Sequence, residues 1–262
     1  MRVQLKEIFF KAEISLKKHS WFSEVEFEKK YGKFKLFENK VRTNNDFFQM
    51  LIMIIFYSGF KAEIVEKKEK IILGHFPDYN TVSIYSNADF EKIFSDSNMI
   101  KNRLKIKSCI KNAKVFEEIV TQYGSFQNYI DSFDAHSSFE NLILLKEELE
   151  YRFDYLGGVT VYHFLTDIGF NVLKPDRVIL RIFKRLGLIE NEKQLLKAIV
   201  LGQLFAKHTG IPIRYIDIIF VKYGQQGESE KFGLKNGICL EKEPNCKVCG
   251  LISYCKYNKT SP

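Results

Sequence analysis

The sequence predicts an all-α protein. Apolar residues recur at helical spacing along most of its 262 residues, glycines stand where those runs stop, and strand-like alternation with hairpin turns is scarce. The periodicity places helices over 46–57, 88–94, 103–123, 138–153, 160–169, 176–186, 192–208 and 213–223. The first holds the most apolar run, MLIMIIFYSGF at 50–60, which is too short to span a bilayer and reads as a buried core helix. Ser137 or Ser138 with Asn141, and Asn191 before Glu192, are the expected N-terminal caps. Gly124, Gly169, Gly187, Gly210 and Gly224 mark the expected stops.

The chain carries 40 Lys and Arg against 32 Asp and Glu, a formal charge of +8. Two stretches concentrate the excess. Lys101, Arg103, Lys105, Lys107, Lys111 and Lys114 occur with no acidic residue among them. Lys174, Arg177, Arg181, Lys184 and Arg185 surround only Asp176. Such clusters suit a polyanion, nucleic acid first, although a lysine-rich solvated surface gives the same pattern. Residues 1–18 mix charged and apolar positions without an uninterrupted apolar core, so neither a signal peptide nor a membrane location is expected and the chain is read as cytoplasmic.

Cys239, Cys246, Cys249 and Cys255 follow a C-x6-C-x2-C-x5-C spacing. Four thiolates within one loop can hold a zinc ion or an iron–sulfur cluster, and could form two disulfides. Reducing conditions disfavour the disulfides. Zinc sites usually pair their ligands as two short knuckles, and here only Cys246 and Cys249 form one. The wider gaps suit a 4Fe-4S cluster. Cys109, within a helical stretch, reads as an ordinary buried thiol.

Two further stretches could carry chemistry. In Leu156-Gly157-Gly158-Val159-Thr160, one helix enters and another leaves. The glycines permit a tight turn with positive φ, and bare amides at the next helix's start could seat a phosphate oxygen. A plain helix–helix turn has the same composition. In Leu173-Lys174-Pro175-Asp176-Arg177-Val178, Asp176 stands at a helix start, where an aspartate is often only a cap.

Taken together, these motifs resemble the helix–hairpin–helix DNA glycosylase superfamily, and the C-terminal part is similar to endonuclease III and the adenine glycosylases. In that group an L-x-G-V-G hairpin precedes a catalytic Asp and then a C-x6-C-x2-C-x5-C loop. Leu156 to Thr160 match the hairpin except that Thr160 replaces its last glycine. Asp176 falls at the catalytic Asp, the cysteines match in number and spacing, and Pro244 before Cys246 fits. The resemblance covers residues 42–258. The middle also resembles 3-methyladenine glycosylase I, through Met99-Ile-Lys-Asn-Arg-Leu-Lys-Ile106, Asn112-Ala113, Gly124-Ser-Phe126 and Tyr162-His-Phe164. That family carries zinc, lacks the catalytic Asp and reads its base with a Glu and an aromatic. Ile54 and Ala62 stand at those places here, so its pocket does not carry over.

The resemblance implies a two-lobed fold, with a barrel-like lobe over 42–150. The second lobe combines 1–41 with 151–262 and contains the hairpin at 151–165 and the cluster loop at 239–255. It implies a monomer acting on lesion-containing double-stranded DNA. The hairpin residues Gly157, Gly158, Val159 and Thr160, with Lys174 and Arg177, would hold the DNA, the amides of Gly158 and Thr160 gripping its backbone. Phe60 would wedge into the stack, and Tyr162 and His163 would lie near the pocket. Asp176 would stabilise positive charge on the sugar or deprotonate water. The Schiff-base lysine of bifunctional relatives is replaced by Tyr162, which implies a monofunctional enzyme. Lys174 is the alternative nucleophile for a glycosylase–lyase. A non-catalytic DNA-binding protein and an iron–sulfur electron carrier are the other readings. The cluster would be structural, presenting Lys247, Lys256 and Lys259 to DNA. The damaged base would be an alkylated purine first, and a mispaired or oxidised base next.

Overall fold

In a computed structural model, residues 2–36, 41–60 and 62–257 are described. They fold into helices joined by short turns. Among them there is no strand, only an isolated bridge between Ser229 and Leu234. Two helices open the chain, α1 (Arg2–His19) and α2 (Glu24–Tyr31). In α1, Leu5, Ile8, Phe9, Ala12 and Leu16 are all buried, a helical apolar stripe. In α2, Ser23 and Glu26 form a reciprocal capping box.

Eight helices follow: α3 (Asn44–Tyr57), α4 (Ala62–His75), α5 (Tyr79–Ser83), α6 (Asn87–Ser95), α7 (Arg103–Tyr123), α8 (Phe126–Asp131), α9 (Phe139–Arg152) and α10 (Val159–Ile168). Capping boxes of Thr43 with Asp46 and of Ser86 with Asp89 fix the starts of α3 and α6. Ser138 caps α9 by accepting the Asn141 N–H. The apolar run expected in the core forms α3, with Leu51 to Phe56 buried. Phe116 of α7 stacks on Phe126 of α8, with centroids 4.4 Å apart. Helix α10 packs on α3 and α9.

The chain ends with α11 (Arg177–Arg185), α12 (Leu195–Thr209), α13 (Ile213–Gly224) and the cysteine loop. Phe220 of α13 meets Phe9, Phe183 and Phe205 edge-on at 6.1, 5.5 and 5.3 Å. Gly202 of α12 lies so close to Leu173 that an added Cβ would stand 2.6 Å from the leucine Cβ. Helix α12 begins later than the periodicity suggests. The Asn191 side chain accepts the Lys193 N–H at 3.0 Å, making a local turn instead of a helix cap.

The chain divides into two compact units, Met1–Glu38 with Asn171–Pro262, and Asn39–Phe170. The expected boundary at 150/151 is corrected to 170/171, so the hairpin belongs to the 39–170 unit. The packing of α10 on α3 and α9 is the physical reason. Among the described residues, no helix is long and apolar enough to cross a membrane.

Candidate active site

The hairpin starts from a clamp made by Asn112, which is fully buried in α7. Its amide group donates to the Asp154 carbonyl at 2.9 Å and accepts the Asp154 N–H at 2.9 Å. Lys111 pairs with the Asp154 carboxylate at 2.7 Å. The backbone then passes through Tyr155, whose φ is +64°, and Gly158, whose φ is +56°. Thr160, standing where the motif has its last glycine, donates its hydroxyl to the carbonyls of Tyr155 and Gly157. The departure from the motif therefore replaces conformational freedom with a side-chain tie across the turn.

The amides expected to meet phosphate are engaged within the protein. The Gly158 N–H donates to Glu150 Oε1 at 3.0 Å, and the Thr160 N–H donates to the Gly157 carbonyl at 3.1 Å. Among the described residues, the amides of Gly157 and Val159, like that of Tyr155, make no hydrogen bond at this turn. Burial would raise the Glu150 pKa, but its bonds to Lys146 and to the Gly158 amide bring it below the ordinary carboxylate range. Tyr162 is buried, its ring 5.9 Å from Lys146 Nζ, and burial raises its pKa. His163 pairs with Asp167 at 3.1 Å one turn along α10.

Phe60 follows Gly59, whose φ is +78°, and is 37 % exposed. Beneath it lies Lys105, which is buried and donates to the carbonyls of Ile55 and Ser58 at the end of α3. The ammonium also stands 5.6 Å from the Phe60 ring and 4.6 Å from the Tyr155 ring. Burial lowers the Lys105 pKa to about 8. One lysine of the first basic cluster is thus an internal brace for the turn that carries Phe60.

In the other unit, Asp176 caps α11. Its Oδ1 accepts the N–H groups of Val178 at 2.9 Å and Ile179 at 3.0 Å. Among the described residues its Oδ2 has no hydrogen bond. The segment before it is held by Asp217, a buried residue of α13 whose Oδ1 accepts the Lys174 N–H at 3.1 Å. Burial raises the Asp217 pKa to about 6, against the lowering effect of Arg214 and Lys174. Lys174 is half-buried and Arg177 is exposed.

Cys239, Cys246, Cys249 and Cys255 line one small pocket with Arg185, Ile238, Pro244 and Tyr257. None is in a disulfide. Arg185 Nη1 donates to Cys239 Sγ at 3.2 Å, and the Tyr223 hydroxyl lies 3.1 Å from Cys249 Sγ. Gly250 donates its N–H to Ser15 Oγ at 3.0 Å, and a Cβ there would stand 2.2 Å from that oxygen. Among the described residues, no three His, Cys, Asp or Glu side chains form a group that could hold a single metal ion. Lys247 is exposed, Lys256 lines the cavity next to this loop, and Lys259 lies outside the described residues.

Sequence reasoning missed Glu150, Asp217 and the internal role of Lys105. Asp217 carries a readable signal, a lone carboxylate in the apolar run Ile213 to Phe220. Glu150 carries none, because one glutamate among several on α9 looks like solvated surface.

Residues 37–152 match the family model described as methyladenine glycosylase. Among solved structures, the chain is similar to the 8-oxoguanine glycosylase/lyase of Methanocaldococcus jannaschii in complex with DNA containing 8-oxoguanine. The TM-score is 0.55 at 18% identity, covering 83% of this chain and 95% of that one. The 8-oxoguanine DNA glycosylase of Thermotoga maritima gives a TM-score of 0.52 at 18% identity, covering 82% and 95%. The 3-methyladenine DNA glycosylase I of Staphylococcus aureus gives 0.46 at 19% identity, covering 59% and 91%. The all-helical architecture and these two 8-oxoguanine enzymes agree: the chain has the helix–hairpin–helix DNA glycosylase fold.

Proposed function

We propose that this protein is a monofunctional DNA glycosylase of base excision repair. It removes a damaged base from double-stranded DNA, acts as a monomer, and leaves the abasic strand intact. The observation that carries this reading is the division of labour within Asp176. One carboxylate oxygen caps α11 and the other is without a partner among the described residues, in a chain with the fold of base-excising enzymes. A carboxylate so fixed cannot turn away from its target, and fixed charge is the form in which electrostatic stabilisation is most effective.

The damaged nucleotide leaves the stack at a cost of about a few kcal/mol, least for a base already poorly paired. Phe60, braced by Lys105, fills the space it vacates. The hairpin holds the backbone through the amides of Gly157 and Val159, with Gly158 and Thr160 shaping the turn, and Lys174 and Arg177 add charge. As the N-glycosidic bond lengthens, positive charge grows on the sugar. The ionised Asp176 stabilises it or takes the proton of the attacking water. Tyr162, a buried phenol at the place of the lyase lysine, forms no imine.

The four cysteines suit a 4Fe-4S cluster. They line one pocket, none is in a disulfide, and Arg185 donates to the Cys239 sulfur in the way that stabilises a thiolate. Cys239, Cys246, Cys249 and Cys255 would bind the cluster, and it would hold the C-terminal loop in place.

The match of residues 37–152 to methyladenine glycosylase favours an alkylated purine as the base. Single-turnover assays on duplexes with one defined lesion each, including alkylated purines and 8-oxoguanine, test the reading. Excision of an alkylated purine without strand cleavage or borohydride trapping supports it. A trapped imine replaces it with a glycosylase–lyase, and no excision of any lesion overturns it.

A further inference from the structure

Helix α11 sets Arg177, Arg181, Lys184 and Arg185 at i, i+4, i+7 and i+8, along one face. With Lys256 and Tyr257 they line a cavity of about 480 Å³, in which Glu192 and Glu241 are the acidic lining residues. The cysteine loop itself brings no positive excess, since Lys242 stands between Glu241 and Glu243.

The cations in the cavity differ in what occupies them. Arg185 is committed to the loop: it donates to the carbonyls of Leu240 at 2.6 Å and Glu241 at 2.9 Å and lies 4.3 Å over the Tyr257 ring. Arg181 Nη2 donates to the carbonyls of Gly224 at 2.6 Å and Cys239 at 3.1 Å, yet its Nε is buried with no hydrogen-bond partner. Lys184 reaches Glu192 at 3.5 Å, with both side chains about half exposed, a pair easily exchanged. Arg177 is exposed and has no ion pair among the described residues.

We infer that this cavity is a seat for backbone phosphates of the DNA strand that carries the excised nucleotide, and that α11 supplies the positive charge the cysteine loop lacks. From Arg177 to Lys184 the helix rises about 10 Å, enough for the two cations to meet different phosphates of one strand. Arg177 adjoins Asp176, so the strand held here continues to the proposed catalytic carboxylate. The inference rests on the glycosylase reading.

The test is the salt dependence of binding to an undamaged duplex, measured for the wild type, Arg177→Gln/Lys184→Gln and Glu192→Gln. Each lost phosphate contact reduces the log–log slope by about 0.9, so the double variant should lose roughly 2 and bind at least about tenfold more weakly at low salt. Glu192→Gln removes a competing carboxylate and should bind more tightly, a gain that misfolding cannot produce. An unchanged slope in the double variant, or a Glu192→Gln protein that binds no tighter, overturns the assignment while leaving the glycosylase reading intact. A wild type that does not bind duplex DNA sinks both.

Discussion

Glu150 Oε1 accepts the backbone N–H of Gly158 at 3.0 Å, and Lys146 pairs with the same carboxylate. A side chain of the protein thus occupies one of the amides that a glycine turn offers to anions. A phosphate approaching Gly157 and Val159 meets this negative charge. Glu150→Gln keeps an oxygen for the Gly158 N–H and removes the charge. It should tighten duplex binding at low salt by about three- to tenfold, with the gain fading as salt rises. Fluorescence anisotropy across a salt series checks this, and weaker binding by the variant would show that the carboxylate helps the hairpin hold DNA.

Lys105 should couple stability to alkaline pH. Its ammonium loses its proton at about 8 in the folded chain, against an ordinary value of 10.5, because burial disfavours the charge. Between those values the unfolded chain holds more protons, so the cost of burying the charge is present below 8 and is relieved as pH rises. Lys105→Met strands the carbonyls of Ile55 and Ser58 and should cost about 2–4 kcal/mol at neutral pH. Urea unfolding should show the wild type gaining on the variant as pH rises through the window between 8 and 10.5. Parallel stability curves would mean that the lysine is not buried as a cation.

Asp217 gives the opposite slope at acid pH. Its folded pKa is raised from 3.8 to about 6, so its contribution is fully present below 3.8 and is lost as pH rises through 6. Asp217→Asn retains an acceptor for the Lys174 N–H and cannot titrate. The wild type should lose about 1–3 kcal/mol relative to this variant across that window, read from denaturation midpoints. A constant difference would place the carboxylate in a more solvated setting.

The cysteine loop predicts a coloured protein. Purified without oxygen, it should be brown and contain four iron and four sulfide per chain, as a 4Fe-4S cluster requires. Cys246→Ser should lose colour and iron together, and the protein should become more sensitive to proteolysis at its C-terminal end. A colourless wild type with one equivalent of zinc would replace the cluster reading with a single-ion site.

The structure also explains which features could be read from the chain. Helices α3, α7 and α9 follow apolar periodicity and start at side-chain caps, and α13 follows the periodicity without one, because local rules and packing agree there. Helix α1 had the same signal in Leu5, Ile8, Phe9, Ala12 and Leu16, although its interspersed charges obscured it. Asp176 was legible from its place at a helix start, but the different fates of its two oxygens were not. Contacts such as Glu150 with Gly158, Lys105 with Ser58 and Asp217 with Lys174 depend on how separate segments meet, which spacing alone does not encode.

The most direct measurement is single-turnover base excision by Asp176→Asn on the lesion the wild type removes. Asparagine is as good a helix cap as aspartate, so α11 should persist and any loss reports on the missing charge. The account predicts duplex affinity no weaker than that of the wild type and a rate at least about a hundredfold lower, from the 3–4 kcal/mol that such a group supplies. An Asp176→Asn protein that excises the base at a near-normal rate would contradict it.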